Sequence, residues 1–400
     1  MIERTQVVIA GAGPVGGVLA YRLAEMGIDV VLIEPTPWPA EDMRASTFHP
    51  PTLEMMQKLG VLDEMLADGL KAPVYQYRNR RSGHVISLDM TDISDMTPYP
   101  FRLQCEQYKL ARILAKRLEG HKHGRVLFQH RLLSFEQDAD GVTVHVETPL
   151  AIEHFRCDYL IGADGASSTV RKWLEVEFDG FTYPERFLTL STAYPIHDHY
   201  QGLANVSYMS DAQEWCVLLR VPKLWRVLVP SQLDESEEGL LSDAKKTAVF
   251  NGLVPDGAAI HTYHRTLYRV HQRVARNFRR GRAVLVGDAA HLNNPLGGFG
   301  MNSGIHDAWN LSDKLGEILL GRGNAEALLD HYERQRKTVA NEFVQAQTIK
   351  NKQAMEAASD GGPSPQEKQM DRLAADLDMR RDYMMHQAMI RSLEREREIA

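Results

Sequence analysis

A glycine-rich loop near the start of the chain has the spacing of a dinucleotide-binding site. It follows the apolar run Val7–Ala10, precedes a segment of helical character, and reads G-x-G-x-x-G as Gly11-Ala12-Gly13-Pro14-Val15-Gly16. Gly11 permits a tight turn, Gly13 lets a pyrophosphate approach the backbone, and Gly16 lets the helix pack closely on the sheet. The first helical residues, Pro14 and Val15, present a positive helix end to the phosphates. We expect this loop to bind a dinucleotide.

An acidic residue follows this loop at the distance that dinucleotide sites require. Glu34 lies 18 residues after Gly16, at the end of the next apolar run. A carboxylate there holds the ribose hydroxyls of an unphosphorylated adenosine and repels a 2′-phosphate. The motif therefore favours FAD or NAD over NADP at this site.

A second glycine-rich cluster lies far along the chain. An apolar strand ends at Asp288, and the loop that opens another helical segment contains Gly297, Gly298, Gly300, Met301 and Asn302. A flavin needs an acceptor for its ribityl hydroxyls and N–H groups near the N1/O2 edge of its ring, and Asp288 and the loop can supply them. The cluster favours FAD over NAD, although an ordinary strand–turn–helix unit would show the same pattern.

The composition excludes several classes of protein. Of the 400 residues, 44% are hydrophobic and 25% charged, which excludes disordered and collagen-like chains. A net charge of −7, with no long basic run, gives no reason to expect a nucleic-acid partner. The three widely spaced cysteines predict a reducing, cytoplasmic compartment. The apolar start is broken by glycines and a proline, so we expect neither a signal peptide nor a membrane span.

Several histidines are close enough in sequence to raise the question of a metal site. None of the pairs has further ligands in a recognisable frame, so we expect no metal; the pairs are His121/His123, His197/His199 and His261/His264. His197, His199, Tyr208 and Arg226 lie where a substrate-binding sheet is expected, but the sequence does not single out one of them as a base or a carboxylate partner.

These motifs require a framework that brings distant segments together. The pattern of strand, glycine loop and helix occurs at residues 7–34 and again at 282–315. It predicts an α/β protein with a Rossmann-like FAD-binding domain. Because the two copies are far apart, this domain is expected to be discontinuous and to comprise residues 1–72, 102–179 and 276–325.

The remaining segments predict a second sheet and a helical tail. Residues 73–101 and 180–275 are rich in β-branched and aromatic residues with turn signals, which predicts an inserted mixed β-sheet domain for the substrate. Residues 326–400 predict C-terminal helices. After a breaker-rich linker we expect one last helix with an apolar stripe, formed by Met370, Leu373, Leu377, Met384 and Met385. It would cover the body of the protein, or serve as a lid or in a homodimer.

Taken together, the motifs resemble a known family. The opening loop with Glu34, the stretch from Cys157 through Asp164-Gly165 to Arg171, and the Gly287-Asp288 region are similar to the fingerprints of class A FAD-dependent aromatic hydroxylases, the family of para-hydroxybenzoate hydroxylase and the phenol hydroxylases. Two further stretches, 268–275 and 307–311, also match. The middle strands and the last 50 residues match only loosely.

The resemblance implies roles for further residues. Arg44 matches an arginine near the FAD pyrophosphate that helps to receive the nicotinamide cofactor. Gln104 matches a glutamine that contacts the flavin, and Leu132 matches a backbone contact on the adenine side. Asp164, followed by Gly165, matches an Asp-Gly pair implicated in binding both FAD and NAD(P)H.

One departure from the family pattern concerns the loop after Asp288. Relatives often have two prolines where this chain has Asn293-Asn294-Pro295. Pro295 matches the second proline, whose carbonyl faces the reacting substrate carbon in the family. Asn294 leaves the local conformation open and allows an extra polar group near the substrate. With Arg44 and Asp164, Pro295 completes the set of residues for which a catalytic role is implied.

The resemblance also implies a reaction. The family hydroxylates aromatic or heteroaromatic, phenol-like substrates with NAD(P)H and O₂ through a C4a-hydroperoxyflavin. The single dinucleotide fingerprint implies that NAD(P)H binds only transiently. A closed apolar pocket should exclude water. Two alternatives stay open at this point, an FAD-dependent oxidoreductase without oxygen insertion and an NAD-linked dehydrogenase.

Overall fold

The structure, a computed structural model, describes residues 2–41, 45–211, 214–356 and 365–400. Its strands in chain order are β1 Glu3–Arg4, β2 Val7–Ala10, β3 Val30–Glu34, β4 Thr47–Phe48, β5 Leu70–Ala72, β6 Val74–Asn79, β7 Val85–Asp89, β8 Arg102–Gln104, β9 Gly124–Phe128, β10 Arg131–Gln137, β11 Val142–Glu147, β12 Ile152–Cys157, β13 Tyr159–Gly162, β14 Phe178–Thr192, β15 Val206–Ser210, β16 Cys216–Val221, β17 Leu224–Pro230, β18 His264–Ala275, β19 Arg279–Arg280, β20 Ala283–Leu285 and β21 His291–Leu292.

Helices cover the sheets and form the end of the chain. They are α1 Pro14–Glu25, α2 Pro50–Lys58, α3 Leu62–Ala67, α4 Gln107–Glu119, α5 Thr169–Trp173, α6 Glu237–Leu241, α7 Asp243–Asn251, α8 Gly300–Leu319, α9 Ala325–Val339, α10 Ala346–Glu356, α11 Pro365–Ala375, α12 Leu377–Gln387 and α13 Ile390–Glu398. A π-helical segment, Ala340–Gln345, joins α9 to α10.

The first sheet is the Rossmann-like framework of the molecule. Its order is β19-β20-β13-β2-β3-β9, and the strands from β20 to β9 are parallel. All four residues of β2 are buried, as expected for a strand covered on both faces. The chain passes from β2 to β3 on one side, and β13 adds on the other. The carboxyl end of β2 is therefore a topological switch point, where open α/β sheets bind ligands.

The second large sheet has eight strands in the order β21-β18-β14-β17-β16-β15-β6-β7. Only β15 and β6 pair in parallel, so the sheet is mixed. Its strands come from the segments predicted for it, but β21 comes from the later glycine-rich cluster and ties that cluster to β18. The predicted α/β architecture, with a Rossmann-like sheet, a mixed sheet and C-terminal helices, is confirmed.

Two smaller sheets complete the core. The first has the order β1-β12-β11-β10, and the second is the three-stranded sheet β4-β8-β5. In the second sheet, Thr47 of β4 pairs with Gln104 of β8, and Ala72 of β5 pairs with Arg102. This small sheet therefore places Arg102 and Gln104, the second of which the sequence predicts as a site residue, close to the two large sheets.

The end of the chain differs from the single helix expected from its apolar stripe. It forms three helices, α11, α12 and α13, because Asp376 caps α12 and Met389 adopts a left-handed conformation with φ 64° before α13. Met384 and Met385 are buried as expected, but Leu377 is 51% exposed and does not belong to the stripe. Among the described residues, no helix is long and apolar enough to span a membrane.

Candidate active site

One cavity of about 390 Å³ lies where the Rossmann-like sheet meets the eight-stranded sheet. The loops after β2, β13 and β20 line one part of it, together with the start of α8. Strands β14 to β18 line the other part. The fold therefore joins the two glycine-rich clusters and the predicted substrate sheet around a single space.

The first glycine loop faces this cavity through the start of α1. Gly13, Pro14 and Val15 line the cavity, and no side chain caps the helix at Gly13. A Cβ atom added to Gly13 would meet nothing within 4 Å, whereas one added to Gly16 would lie 1.9 Å from the Gly11 carbonyl oxygen. The loop is thus open to a ligand at Gly13 and closed by backbone contact at Gly16, as the sequence predicts.

Glu34 stands beside this loop without lining the cavity. Its carboxylate accepts a hydrogen bond from the Ala12 N–H at 2.9 Å and another from the Thr36 hydroxyl at 2.8 Å. These bonds fix the carboxylate next to the phosphate-binding turn, the place where an adenosine ribose would need an acceptor.

Asp164 lies at the end of β13, next to the same loop. One of its carboxylate oxygens accepts hydrogen bonds from the Thr169 and Val170 N–H groups at 2.6 and 3.1 Å, which anchors α5. Its other oxygen is buried and accepts no hydrogen bond within the structure. The neighbouring residues Ala163 and Gly165 line the cavity, so Asp164 orders a turn that borders it.

The second glycine loop forms the opposite wall. Its cavity-lining residues include Asp288, Pro295, Gly297, Gly298, Gly300 and Met301. Gly297 and Gly298 have φ angles of 107° and 72°, which side chains with a Cβ rarely adopt, and α8 begins at Gly300 without a side-chain cap. Free N–H groups of two helices, α1 and α8, therefore face one cavity.

Asn302 and His49 hold this loop in place from behind. The Asn302 amide donates to the carbonyl oxygens of Gly298 and Thr47 at 2.7 and 2.8 Å and accepts from the His49 N–H at 2.9 Å. Burial lowers the pKa of His49 well below its usual range. The neutral ring donates from Nε2 to the Gly297 carbonyl at 2.8 Å. Asn302 thus shapes the glycine loop rather than lining the cavity.

A buried ionic network fixes the position of Asp288. The carboxylate of Asp307, on α8, accepts hydrogen bonds from the Gly287 N–H at 2.9 Å, from His291 at 2.7 Å and from Arg336 at 2.6 Å. Burial would raise the pKa of Asp307, but the neighbouring His291 and Arg336 outweigh it and lower that pKa to about 2. The charged network clamps the turn that carries Asp288 onto α8 and α9.

The asparagine that departs from the family pattern points away from the cavity. The Asn294 side chain is fully buried, donates to the Thr348 carbonyl oxygen at 2.9 Å and accepts from the Leu296 N–H at 3.1 Å. Asn293 lines the cavity in its place. The extra polar group that the sequence allowed near the substrate is therefore on Asn293. Asn294 instead binds the loop to α10.

Of the further residues implied by the resemblance, Gln104 and Leu132 lie outside the cavity lining. Gln104 is buried behind Thr47, whose hydroxyl donates to its side-chain oxygen at 3.1 Å, and its side-chain nitrogen has no partner within the structure. Leu132 lies on β10, in the four-stranded sheet. Arg44 falls outside the described residues.

The part of the cavity along the eight-stranded sheet contains residues that sequence reasoning did not assign. Apolar side chains dominate there, including Val206, Val217, Leu219 and Leu228. Tyr208 and Arg226, which the sequence left unassigned, line the cavity, and so does Arg102, which no motif indicated. The only sequence signal for Arg102 was its place two residues before Gln104.

The histidine pairs have other environments. His197 accepts a hydrogen bond from the Trp225 indole N–H at 3.1 Å, and His199 bonds to Tyr194. Neither lines the cavity. In the described part of the chain, no group of three or more potential metal-binding side chains lies together.

The cavity fits the flavin cofactor that the sequence predicts. It offers two uncapped helix ends, an open approach at Gly13 and a carboxylate at Asp288. The start of α1, with the open approach at Gly13, matches the needs of a pyrophosphate. The start of α8 matches those of a ring edge with partial negative charge, and Asp288 matches those of ribityl hydroxyls.

Comparison with known proteins agrees with this assignment. The family described as "FAD binding domain" matches residues 4–347 of the chain. Para-nitrophenol 4-monooxygenase from Pseudomonas sp. strain WBC-3 is 33% identical over 346 residues, which is 84% of each chain. The 6-hydroxy-3-succinoylpyridine 3-monooxygenase of Pseudomonas putida strain S16 is 32% identical over 356 residues, covering 88% of this chain and 89% of that protein.

A solved structure extends the similarity to the whole chain. The crystal structure of p-nitrophenol 4-monooxygenase from Pseudomonas putida DLL-E4 matches with a TM-score of 0.91 and 28% identity, covering 99% of both chains. The likeness therefore includes the eight-stranded sheet and the C-terminal helices, where the sequence motifs are weakest.

Proposed function

The chain belongs to the FAD-binding-domain family and is an FAD-dependent aromatic monooxygenase. From this premise we propose the roles of its domains and residues. Under this proposal, residues 1–72, 102–179 and 276–325 form the FAD-binding domain. Residues 73–101 and 180–275 form the substrate domain, and residues 326–400 form the C-terminal helical region. The shared cavity is the active site.

The two glycine loops would hold different parts of FAD. Gly11, Gly13, Pro14, Val15 and Gly16 would receive the pyrophosphate, and Glu34 and Leu132 would lie on the adenosine side. Asp288 would accept from the ribityl chain. The loop of Gly297, Gly298, Gly300, Met301 and Asn302, with Gln104, would hold the ring. The open space at Gly13 and the two uncapped helix ends support this arrangement.

When bound, FAD supplies the means of passing electrons from NAD(P)H to O₂ so that one oxygen atom enters an aromatic ring. The protein must admit a nicotinamide cofactor transiently, and we assign that contact to Arg44 and Asp164. The buried carboxylate oxygen of Asp164 beside the cavity, which has no hydrogen-bond partner among the described residues, supports its part. The apolar strands β15 to β17 would exclude water, which protects the reaction from wasteful loss of electrons to peroxide.

The substrate we propose is a small, phenol-like aromatic or heteroaromatic ring, co-processed with O₂. The names of the two relatives specify a nitrophenol and a hydroxylated pyridine. A cavity of about 390 Å³ that also receives part of the flavin favours a single ring. Pro295 lines the cavity beside Asn293, which supports a place for its carbonyl against the reacting carbon.

We further propose a cytoplasmic location. All three cysteines are buried and unpaired, in keeping with a reducing compartment. A homodimer is compatible with this proposal and is open to test by light scattering.

The deciding experiment measures whether an oxygen atom of O₂ enters the aromatic product. NAD(P)H oxidation by the purified FAD-containing protein should be slow alone and should accelerate when a substrate from a panel of phenols and hydroxypyridines is added. With ¹⁸O₂, one labelled atom should enter the product ring. Label confined to H₂O₂ across the panel would instead indicate an oxidase or reductase.

A matched pair of variants ties the activity to this cavity. Leu219 lines the cavity, whereas the adjacent Arg220 on the same strand does not. Leu219→Trp should fill the space and abolish stimulation by substrate while FAD content stays normal. Arg220→Trp should retain stimulation. Equal stimulation of both variants would show that the substrate binds elsewhere.

A further inference from the structure

A buried arginine that has no carboxylate partner among the described residues lies in the cavity. Arg102 is only 1% exposed and lines the space beside the eight-stranded sheet. Within the described ranges its one side-chain hydrogen bond goes to the Tyr208 hydroxyl, at a long 3.5 Å, and its Nε atom has no acceptor. A buried guanidinium is costly unless an anion or several acceptors compensate it.

The neighbouring tyrosines do not supply that negative charge. The guanidinium lies 4.3 Å from the centre of the Tyr75 ring, a cation–π contact. Burial raises the pKa of Tyr75 and of Tyr77 well above the usual value, so both stay neutral phenols. Tyr77 in turn stacks on Tyr208, with ring centres 5.0 Å apart. The aromatic groups stabilise the position of Arg102 but leave its charge uncompensated.

The rest of the lining also favours a negatively charged ligand. The charged side chains that line the cavity, among the described residues, are Arg102, Arg226 and Asp288. Asp288 follows β20, on the proposed flavin side, whereas Arg226 lies on β17 of the eight-stranded sheet and Arg102 bonds to Tyr208 on β15 of the same sheet. No histidine and no second carboxylate lines the described wall, and the sheet end offers no evident base to remove a proton from a neutral phenol.

We propose that Arg102 binds an oxygen anion carried by the aromatic substrate, so that the cavity selects ring-bound phenolates or carboxylates over neutral rings. This inference rests on the proposed function of the cavity and specifies its substrate class. The Arg102 N–H groups would donate to the anionic oxygen, in a charge-assisted hydrogen bond that Tyr208 can share. Arg102 is then a specificity-determining residue.

Ligand pairs that differ in charge test the proposal by binding, independently of turnover. Isothermal titration of the oxidised, FAD-containing enzyme compares 4-nitrophenol, above its pKa, with 4-nitroanisole for the phenolate arm. It compares 4-hydroxybenzoate with 4-hydroxybenzamide for the carboxylate arm. We expect the anion of at least one pair to bind about 10- to 100-fold more tightly than its neutral partner, the range typical of a hydrogen bond to a charged group.

Two substitutions of the same kind locate the effect. Arg102→Met should remove the preference for the anion, whereas Arg220→Met, on the strand face that does not line the cavity, should retain it. Arg102→Lys keeps the charge and should retain a reduced preference. If Arg102→Met does not fold, Arg102→Lys and the wild-type ligand pairs still decide the matter.

The outcomes separate this inference from the function on which it rests. Equal binding of charged and neutral partners, or an anion preference that survives in Arg102→Met, would overturn the role of Arg102 while leaving an aromatic site intact. If no aromatic ligand of either charge binds or stimulates NAD(P)H oxidation, the proposed function itself fails.

Discussion

Gly13 and Gly16 belong to one motif, yet the structure gives them different physical tasks. Gly13 has an ordinary φ of −69°, and a Cβ there would meet no protein atom within 4 Å. At Gly16 a Cβ would overlap the Gly11 carbonyl. Gly13 therefore leaves space for a ligand, and Gly16 allows helix α1 to pack closely against its own loop.

This difference predicts opposite effects for two alanine variants. Gly13→Ala should leave the stability of the FAD-free protein unchanged but weaken FAD binding by about tenfold or more, equivalent to about 1.4 kcal/mol. Gly16→Ala should destabilise the FAD-free fold by about 1–3 kcal/mol because of overpacking. Urea unfolding of the FAD-free variants and fluorescence titration with FAD would measure the two effects. Normal FAD binding by the Gly13→Ala variant would contradict the assignment of the pyrophosphate to this loop.

At the scale of elements, helix α8 joins the two halves of the proposed flavin site. Its first residues line the cavity, and Asp307, two turns later, bonds back to Gly287 in the turn that carries Asp288. Arg336 on α9 completes the buried network and also pairs with Glu396 on α13. The Asp307 carboxylate thus fixes the turn after β20 relative to α8 and α9 and, through Arg336, relative to α13.

Asp307→Asn should therefore destabilise the protein strongly. Removing this charge leaves Arg336 buried with less compensation, a loss of about 3 kcal/mol or more. Asp313→Asn on the same helix is the matched control, because Asp313 is 57% exposed where it pairs with Arg22. That control should cost under about 1 kcal/mol. Urea unfolding at pH 7 measures both values.

The pH dependence has a definite sign. The folded-state pKa of Asp307 is lowered from 3.8 to about 2, so its stabilisation is complete above the unfolded-state value and is lost as the pH falls through the folded-state value. The difference in unfolding free energy between wild type and Asp307→Asn should stay constant down to about pH 4 and shrink below it. A difference that already shrinks between pH 7 and pH 5 would contradict this assignment.

At the scale of the whole molecule, the C-terminal helices connect the eight-stranded sheet to the Rossmann-like body. Met384 and Met385 pack in one cluster with Tyr75 and with Leu296, which lines the cavity. The Tyr383 hydroxyl bonds to that of Tyr77 at 2.9 Å. On the other side, α13 reaches the buried network of α8 and α9 through Glu396.

A charge inserted into this cluster should release the helices and disturb the site. Met384 is 1% exposed and Met379, on the same helix, is 47% exposed. Met384→Asp should lower the melting temperature by several degrees, open the C-terminal segment to limited proteolysis and weaken binding of aromatic ligands, because a buried unpaired charge is not tolerated. Met379→Asp should behave as wild type. Unchanged ligand binding in a proteolysed Met384→Asp protein would show that these helices do not support the cavity.

The sequence by itself determined the parts of the site that are local. The unit β2, glycine loop, α1 and β3 followed from a buried apolar run, glycine spacing and helix periodicity within about thirty residues. The same holds for the strand and loop around Asp288. In each case neighbouring residues fix the backbone, because a turn that needs glycine and an uncapped helix start are short-range properties.

Only the tertiary structure decided the part of the cavity along the eight-stranded sheet and the form of the C-terminal region. Arg102 and Tyr208 are 106 positions apart, and they meet because of sheet registers that no local pattern encodes. The apolar stripe at the end of the chain predicted one helix, but the cap at Asp376 and the left-handed conformation of Met389 divide the segment into three. Strand register and helix breaks depend on which distant surfaces are buried together, and that information is spread over the whole chain.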